Sequence, residues 1–276
     1  MQTRTRPLLA ALCGTAGLSL LVAPGLFVSV AAERSLSAAE LALSALCTST
    51  ALGLVALCGA LLVRRPVGDT LALARGQLSA KSVTALVIGT AGISHLLDWT
   101  TRSLGIREQG ALEIIEGALA GASGWTLLLC LVGVAIAPGI GEELLFRGLL
   151  MRSLARRAGV AAGIITSAVL FGAVHADLTQ GCAAAVLGLY LGAAAIASGS
   201  TRTSTACHVA NNLAAVLAAA WGSHDASPVW ESTLLMLAGG GAIVGLVTLW
   251  GTFPAAAGAF ARVGRAAGTS GPDPPC

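Results

Sequence analysis

Gly117 to Gly141 is a run of 25 residues without a charge, and Glu142, Glu143 and Arg147 follow it within six positions. Such a run is long enough to cross a bilayer as a helix. A charged side chain at the centre of a membrane helix costs about 2.5–3.5 kcal/mol, whereas a Leu returns only about 0.3–0.6 kcal/mol. Three charges there need partners, water or a task.

Helical geometry separates the three. Glu143 and Arg147 are four apart with Glu first, so they share a face and pair in the favourable order. Glu142 is rotated by about 100° from Glu143 and lacks that partner within its own helix. An unpaired carboxylate beside a satisfied pair suits a general base or a metal ligand. The plainer alternative is that all three are solvated where a membrane helix ends.

Only 11% of the residues are charged, and the mean hydropathy is +0.83. A soluble domain carries about 25% charged residues, so the composition describes an integral membrane protein. The net charge of +3 gives no reason to expect a nucleic-acid partner. Lys81 is the one Lys among 16 basic residues, and Ala and Gly are abundant, which points to a GC-rich genome and a bacterial inner membrane. Seven cysteines are scattered without a C-x-x-C and read as small apolar residues.

Apolar runs divide the chain into about eight transmembrane helices, an all-α polytopic architecture with its polar site in the C-terminal half. The first span is 7–32, retained rather than cleaved, and the second is 41–63. The basic stretch Arg64 to Lys81 that follows is expected to be cytoplasmic. Residues 82–97 make a short third candidate, and 106–120 have the spacing of an amphipathic connector. The next span is expected to end at Pro138-Gly139. Runs at 160–176, 178–197, 206–221 and 234–250 complete the set, with the polar tract 198–205 read as a turn or a re-entrant loop. The organisation is then 1–116 for the N-terminal helices and connector, 117–221 for the core, 222–265 for the last span and 266–276 for a disordered tail.

Polar groups recur in three segments of the core: Glu142, Glu143 and Arg147; Phe171 and His175; His208 and Asn212. Their recurrence in consecutive spans argues for one water-filled site. If the chain turns near Gly159, Glu142 and His175 each lie about 24 Å from that turn and meet at one depth. A carboxylate and an imidazole so placed can hold and deprotonate a water, and His208 with Asn212 can donate to an oxyanion.

These residues resemble a known family. E-E-x-x-x-R at 142–147, F-x-x-x-H at 171–175 and H-x-x-x-N at 208–212 are similar, in order and spacing, to the motifs of the CAAX protease and bacteriocin-processing (CPBP, Abi) family. Its members are intramembrane endopeptidases related to the Ras-converting enzyme. The resemblance implies Glu142 as the base that activates water and His175 as its helper. It implies His208 and Asn212 as the oxyanion donors, with Glu143, Arg147 and Phe171 in support. It also implies a membrane-associated protein or peptide as substrate and no cofactor. Two Glu and two His leave zinc open, with Glu142, His175 and His208 as the ligands. The alternatives from other classes are a non-catalytic scaffold or immunity protein and a transporter.

Topology conflicts with this picture at the level of sequence. Ending a span at Glu142 collects nearly all the basic residues on one side but separates Glu142 from His175. The hairpin that unites them spoils the charge bias unless 82–97 fails to cross. His208, soon after the polar tract, needs that tract to fold back into the membrane to reach His175.

Overall fold

The computed structural model describes residues 36–63, 65–107, 110–222 and 228–269, and all of its regular structure is helical. In order these are α1 (Ala38–Leu62), α2 (Val67–Thr70), α3 (Ala80–Ser103), α4 (Ala111–Leu119), α5 (Gly124–Ala158), α6 (Val160–Ala173), α7 (Leu178–Ser198), α8 (Thr201–Trp221) and α9 (Pro228–Thr269). Helices α1, α3, α5, α7 and α9 are long and apolar enough to cross a membrane. Helix α6 is shorter, and α8 is diluted by His208, Asn211 and Asn212. Rows of large apolar side chains face outward, among them Leu54, Leu61, Val169, Met236, Val247 and Trp250. Lipid, not water, is the solvent that tolerates them. The chain is a polytopic helical membrane protein. The expected first span, 7–32, and residues 270–276 of the expected tail lie outside the described residues.

Helix α5 corrects the expected break at Pro138-Gly139. It runs unbroken for 35 residues. Pro138 has no N–H and its ring crowds the carbonyl one turn earlier. The helix widens to π geometry over Leu131–Ile136, directly before the proline, and again over Leu144–Met151. Wide turns bonded five residues apart absorb the lost donor without ending the helix.

Bare backbone on α5 lets its neighbours approach closely. A Cβ on Gly133 would overlap the Ala42 carbonyl oxygen of α1, and one on Gly141 would overlap that of Ser49. On the other side, a Cβ at Gly139 would lie 3.0 Å from the Val209 nitrogen of α8. Small residues at helix crossings are the usual device for tight packing in a membrane. We expect Gly141→Val to push α1 off α5 and to cost about 1–3 kcal/mol. Thermal unfolding in detergent measures this, and an unchanged midpoint would mean that the crossing is looser than described.

The Gly188/Gly192 pair on α7 meets Ala168 and Ile164 of α6. The Gly239 to Gly241 run finds its partner in α3: a Cβ on Gly241 would lie 3.1 Å from Ile88. Helix α3 is 24 residues long, not the 16-residue candidate expected, because Asp98 and Arg102 pair with each other on its last turns instead of ending it.

Two glycine turns set the hairpins of the core. Gly159 (φ +91°) reverses the chain between α5 and α6, and Gly199 (φ +70°) ends α7 in the left-handed region that glycine adopts without strain. Of the two readings of 198–205 the turn holds: the chain reverses at Gly199 and enters α8 at once, without a re-entrant loop. Its polar atoms are satisfied by the chain after α2. Ser200 Oγ donates to the Ala74 carbonyl at 2.6 Å, Thr201 Oγ1 to Leu71 at 2.7 Å, and Gln77 N to Ser198 at 2.9 Å.

Candidate active site

A cavity of about 720 Å³ reaches Glu142, Phe171, His175, His208 and Asn212, residues of three separate segments. Each arrives there for a local reason. Glu142 sits near the middle of α5, 16 residues from Ala158, or about 24 Å of helix. The Gly159 reversal brings His175, just past α6, back to the cavity that Glu142 lines. His208 lies about 10 Å into α8 from Thr201. It needs no re-entrant loop, because Gly139 lets α8 close against α5 at Val209.

Glu142 and Glu143 diverge as their 100° offset requires. Glu142 faces the cavity, its Oε2 3.7 Å from His208 Nε2. Glu143 is fully buried, and its Oε1 accepts from Arg147 Nη1 at 2.6 Å and from His208 Nδ1 at 3.1 Å. Arg147 is 1% exposed and also donates from Nη2 to the Gly188 carbonyl at 3.4 Å. The pair expected from sequence forms, and His208 adds a second hydrogen bond to the same Glu143 oxygen, while Oε2 is buried without one.

Phe171 is the centre of the packing. Its ring lies 5.1 Å from His175 and 5.7 Å from His208, both edge to face, and 5.2 Å from Phe146. The Arg147 guanidinium carbon stands 4.3 Å from its centroid, a cation–π contact in a dry setting. One aromatic side chain thus spaces both imidazoles and covers the ion pair.

Both histidines have Nδ1 engaged by the framework. His175 Nδ1 lies 2.8 Å from the Phe171 carbonyl, which can only accept, so this nitrogen carries the proton and Nε2 is the free one. His208 Nδ1 gives its proton to Glu143, and Nε2 faces Glu142. Fixing one nitrogen in this way sets both the tautomer and the ring orientation. Among the described residues no three His, Cys, Asp or Glu side chains are grouped so as to hold a metal ion.

Several contributors are absent from the motifs. Gly188 supplies a carbonyl to Arg147 and lacks the side chain that would crowd its guanidinium. Ser167 donates to the Phe146 carbonyl at 2.8 Å, within the second wide turn of α5. Asp177 caps α7 through Gln180 N at 2.7 Å and accepts from Ala111 N at 3.2 Å, tying α4 to the α6–α7 turn. His95, which sequence alone gives no reason to include, lines the cavity nearer its mouth. At that mouth Arg102 donates to Asp98 at 2.9 Å and Glu116 at 2.7 Å, and Arg107 pairs with the same two carboxylates. Burial pulls the Arg107 guanidinium below its usual pKa, with Glu116 and Glu113 opposing the shift.

The type II CAAX prenyl endopeptidase Rce1-like family model matches residues 124–214. The match begins where α5 begins and ends two residues beyond Asn212, so it covers every segment that supplies the site. No curated protein and no solved structure gives a significant match. With the family model lying over the cavity-lining motifs, residues 124–214 are similar to the type II CAAX prenyl endopeptidases of the Rce1-like family.

Proposed function

We propose that the protein is a glutamic intramembrane endopeptidase of a bacterial cell membrane, cutting a peptide bond in a membrane-associated protein or peptide. The observation that carries this is the convergence of Glu142, His175, His208 and Asn212 on one cavity. Glu142 is the one carboxylate of the three motifs that faces open space. In this reading a water held by Glu142 and His175 Nε2 attacks the scissile carbonyl carbon, and Glu142 takes its proton. Asn212 and a protonated His208 Nε2 donate to the oxyanion. Collapse breaks the C–N bond as the proton passes from Glu142 to the leaving nitrogen, giving a carboxylic acid and an amine, which ionise to carboxylate and ammonium. Glu143 and Arg147 position His208 from behind and touch no substrate.

The test is cleavage of a panel of membrane-tethered peptides by the purified protein, with and without a strong zinc chelator. Cleavage that survives chelation supports the glutamic mechanism. Activity lost to the chelator and restored by zinc would overturn it and make Glu142, His175 and His208 candidate ligands. No cleavage of any peptide, with function in cells unaffected by His175→Ala, would favour a scaffold.

A further inference from the structure

The helices of the described bundle alternate in direction, so its charged residues fall into two sets. The ends of α1, α5, α7 and α9 and the starts of α3, α6 and α8 form one face. It carries the exposed cations Arg65, Arg75, Lys81, Arg156, Arg157, Arg202 and Arg262, and Asp69 as its carboxylate. The opposite face carries Glu40, Asp98, Glu113, Glu116, Asp177 and Glu231. Among the described residues its cations are Arg102 and Arg107, both engaged by Asp98 and Glu116. The connections that hold these charges are short, the circumstance in which basic residues set orientation. The seven-to-two bias among the described residues makes the basic face cytoplasmic. Continuity of α5 removes the conflict that sequence alone presents, since Glu142 no longer ends a span.

The cavity is not shared between the faces. Its walls are mainly the first half of α1, the second half of α3, the connector with α4, the first half of α7 and the second half of α8; Leu52 and Leu191 reach past Glu142 toward the basic face, and the rest lie level with it or on its acidic side. Towards the basic face α5 is closed by Phe146, Arg147, Met151 and Arg152, each at most 5% exposed. Trp99, Trp125 and Trp221 lie exposed near the acidic-side ends of α3, α5 and α8, where an interfacial aromatic belt belongs.

We infer that the cavity is served from the non-cytoplasmic face, and that the substrate is the apolar, membrane-proximal segment of a translocated polypeptide. This rests on the peptidase reading for the word substrate, but the orientation stands without it. The ion cluster at the mouth is neutralised internally by two guanidinium groups and two carboxylates, and Leu41, Leu52, Leu112, Ile115 and Leu187 line the wall. A segment entering there loses its water to an apolar surface and meets Glu142 at the bottom. A cytosolic peptide has no such route.

Two measurements test this separately. Trp125→Cys and Arg157→Cys variants of the full chain, in intact bacterial cells, are treated with a membrane-impermeant maleimide. The unaltered chain, with its own seven cysteines, gives the background. Labelling of Trp125→Cys in intact cells, and of Arg157→Cys only after permeabilisation, is expected; the reverse pattern overturns the orientation. In proteoliposomes of known orientation, a membrane-tethered peptide on the Trp125 side should be cut at least about tenfold faster than one on the Arg157 side. Equal rates, or faster cleavage from the Arg157 side, overturn the assignment of substrate. Cleavage from neither side removes the peptidase reading and the substrate class with it, while the labelling still decides which way the cavity faces.

Discussion

Glu142→Gln is expected to lower the cleavage rate by at least about a hundredfold, the lower end of what a positioned general base contributes. The amide keeps the shape of the carboxylate and cannot take the proton of the attacking water. Glu142 makes no ion pair within its helix, and its neighbour His208 is held by Glu143 instead. Folding should therefore be untouched, with the same unfolding midpoint in detergent and the same yield from the membrane. Full activity in a folded Glu142→Gln protein would remove Glu142 as the base. A folded but inactive His175→Ala protein would then point to the imidazole as the proton acceptor.

The behind-the-site pair should respond in the opposite way, through stability first. Arg147→Met leaves the Glu143 carboxylate buried with His208 as its partner, and breaking a buried pair on one side costs about 3–5 kcal/mol. For a chain of this size the unfolding midpoint should fall by roughly ten degrees. The double variant Glu143→Gln/Arg147→Met removes both charges and keeps an acceptor for His208 Nδ1. It should recover most of the loss, so that the two changes are strongly non-additive. Additive losses in thermal unfolding would show that the two side chains stabilise the bundle independently, against the 2.6 Å contact between them.

The convergence of the motif residues on one cavity was legible in the sequence because their spacing is local. Four-residue intervals put Glu143 with Arg147 and Phe171 with His175, and one turn at Gly159 brings Glu142 and His175 to one cavity. What was not legible depends on features without a repeating pattern. The wide turns of α5 break the 3.6-residue period, so Pro138-Gly139 read as an end when it is the middle of a helix. Asp98 and Arg102 read as the limit of a span because their charges are visible in the sequence, whereas their mutual pairing is not. The tract 198–205 looked re-entrant because it is polar, yet its hydroxyls serve carbonyls of Leu71 and Ala74, more than a hundred residues earlier. Gly188 and Ser167 carry no signal beyond being small or polar in an apolar run.

The stitching of the α7–α8 turn to residues 71–77 has a mechanical consequence. It makes Thr201 a fulcrum, with α8 as the arm. His208 stands about 10 Å along that arm and Trp221 about 30 Å. Any swing of α8 that widens the mouth is geared down threefold at the imidazole, so that about 3 Å at Trp221 moves His208 by about 1 Å. A parting of the bundle at its rim would therefore leave the groups at its base nearly in alignment.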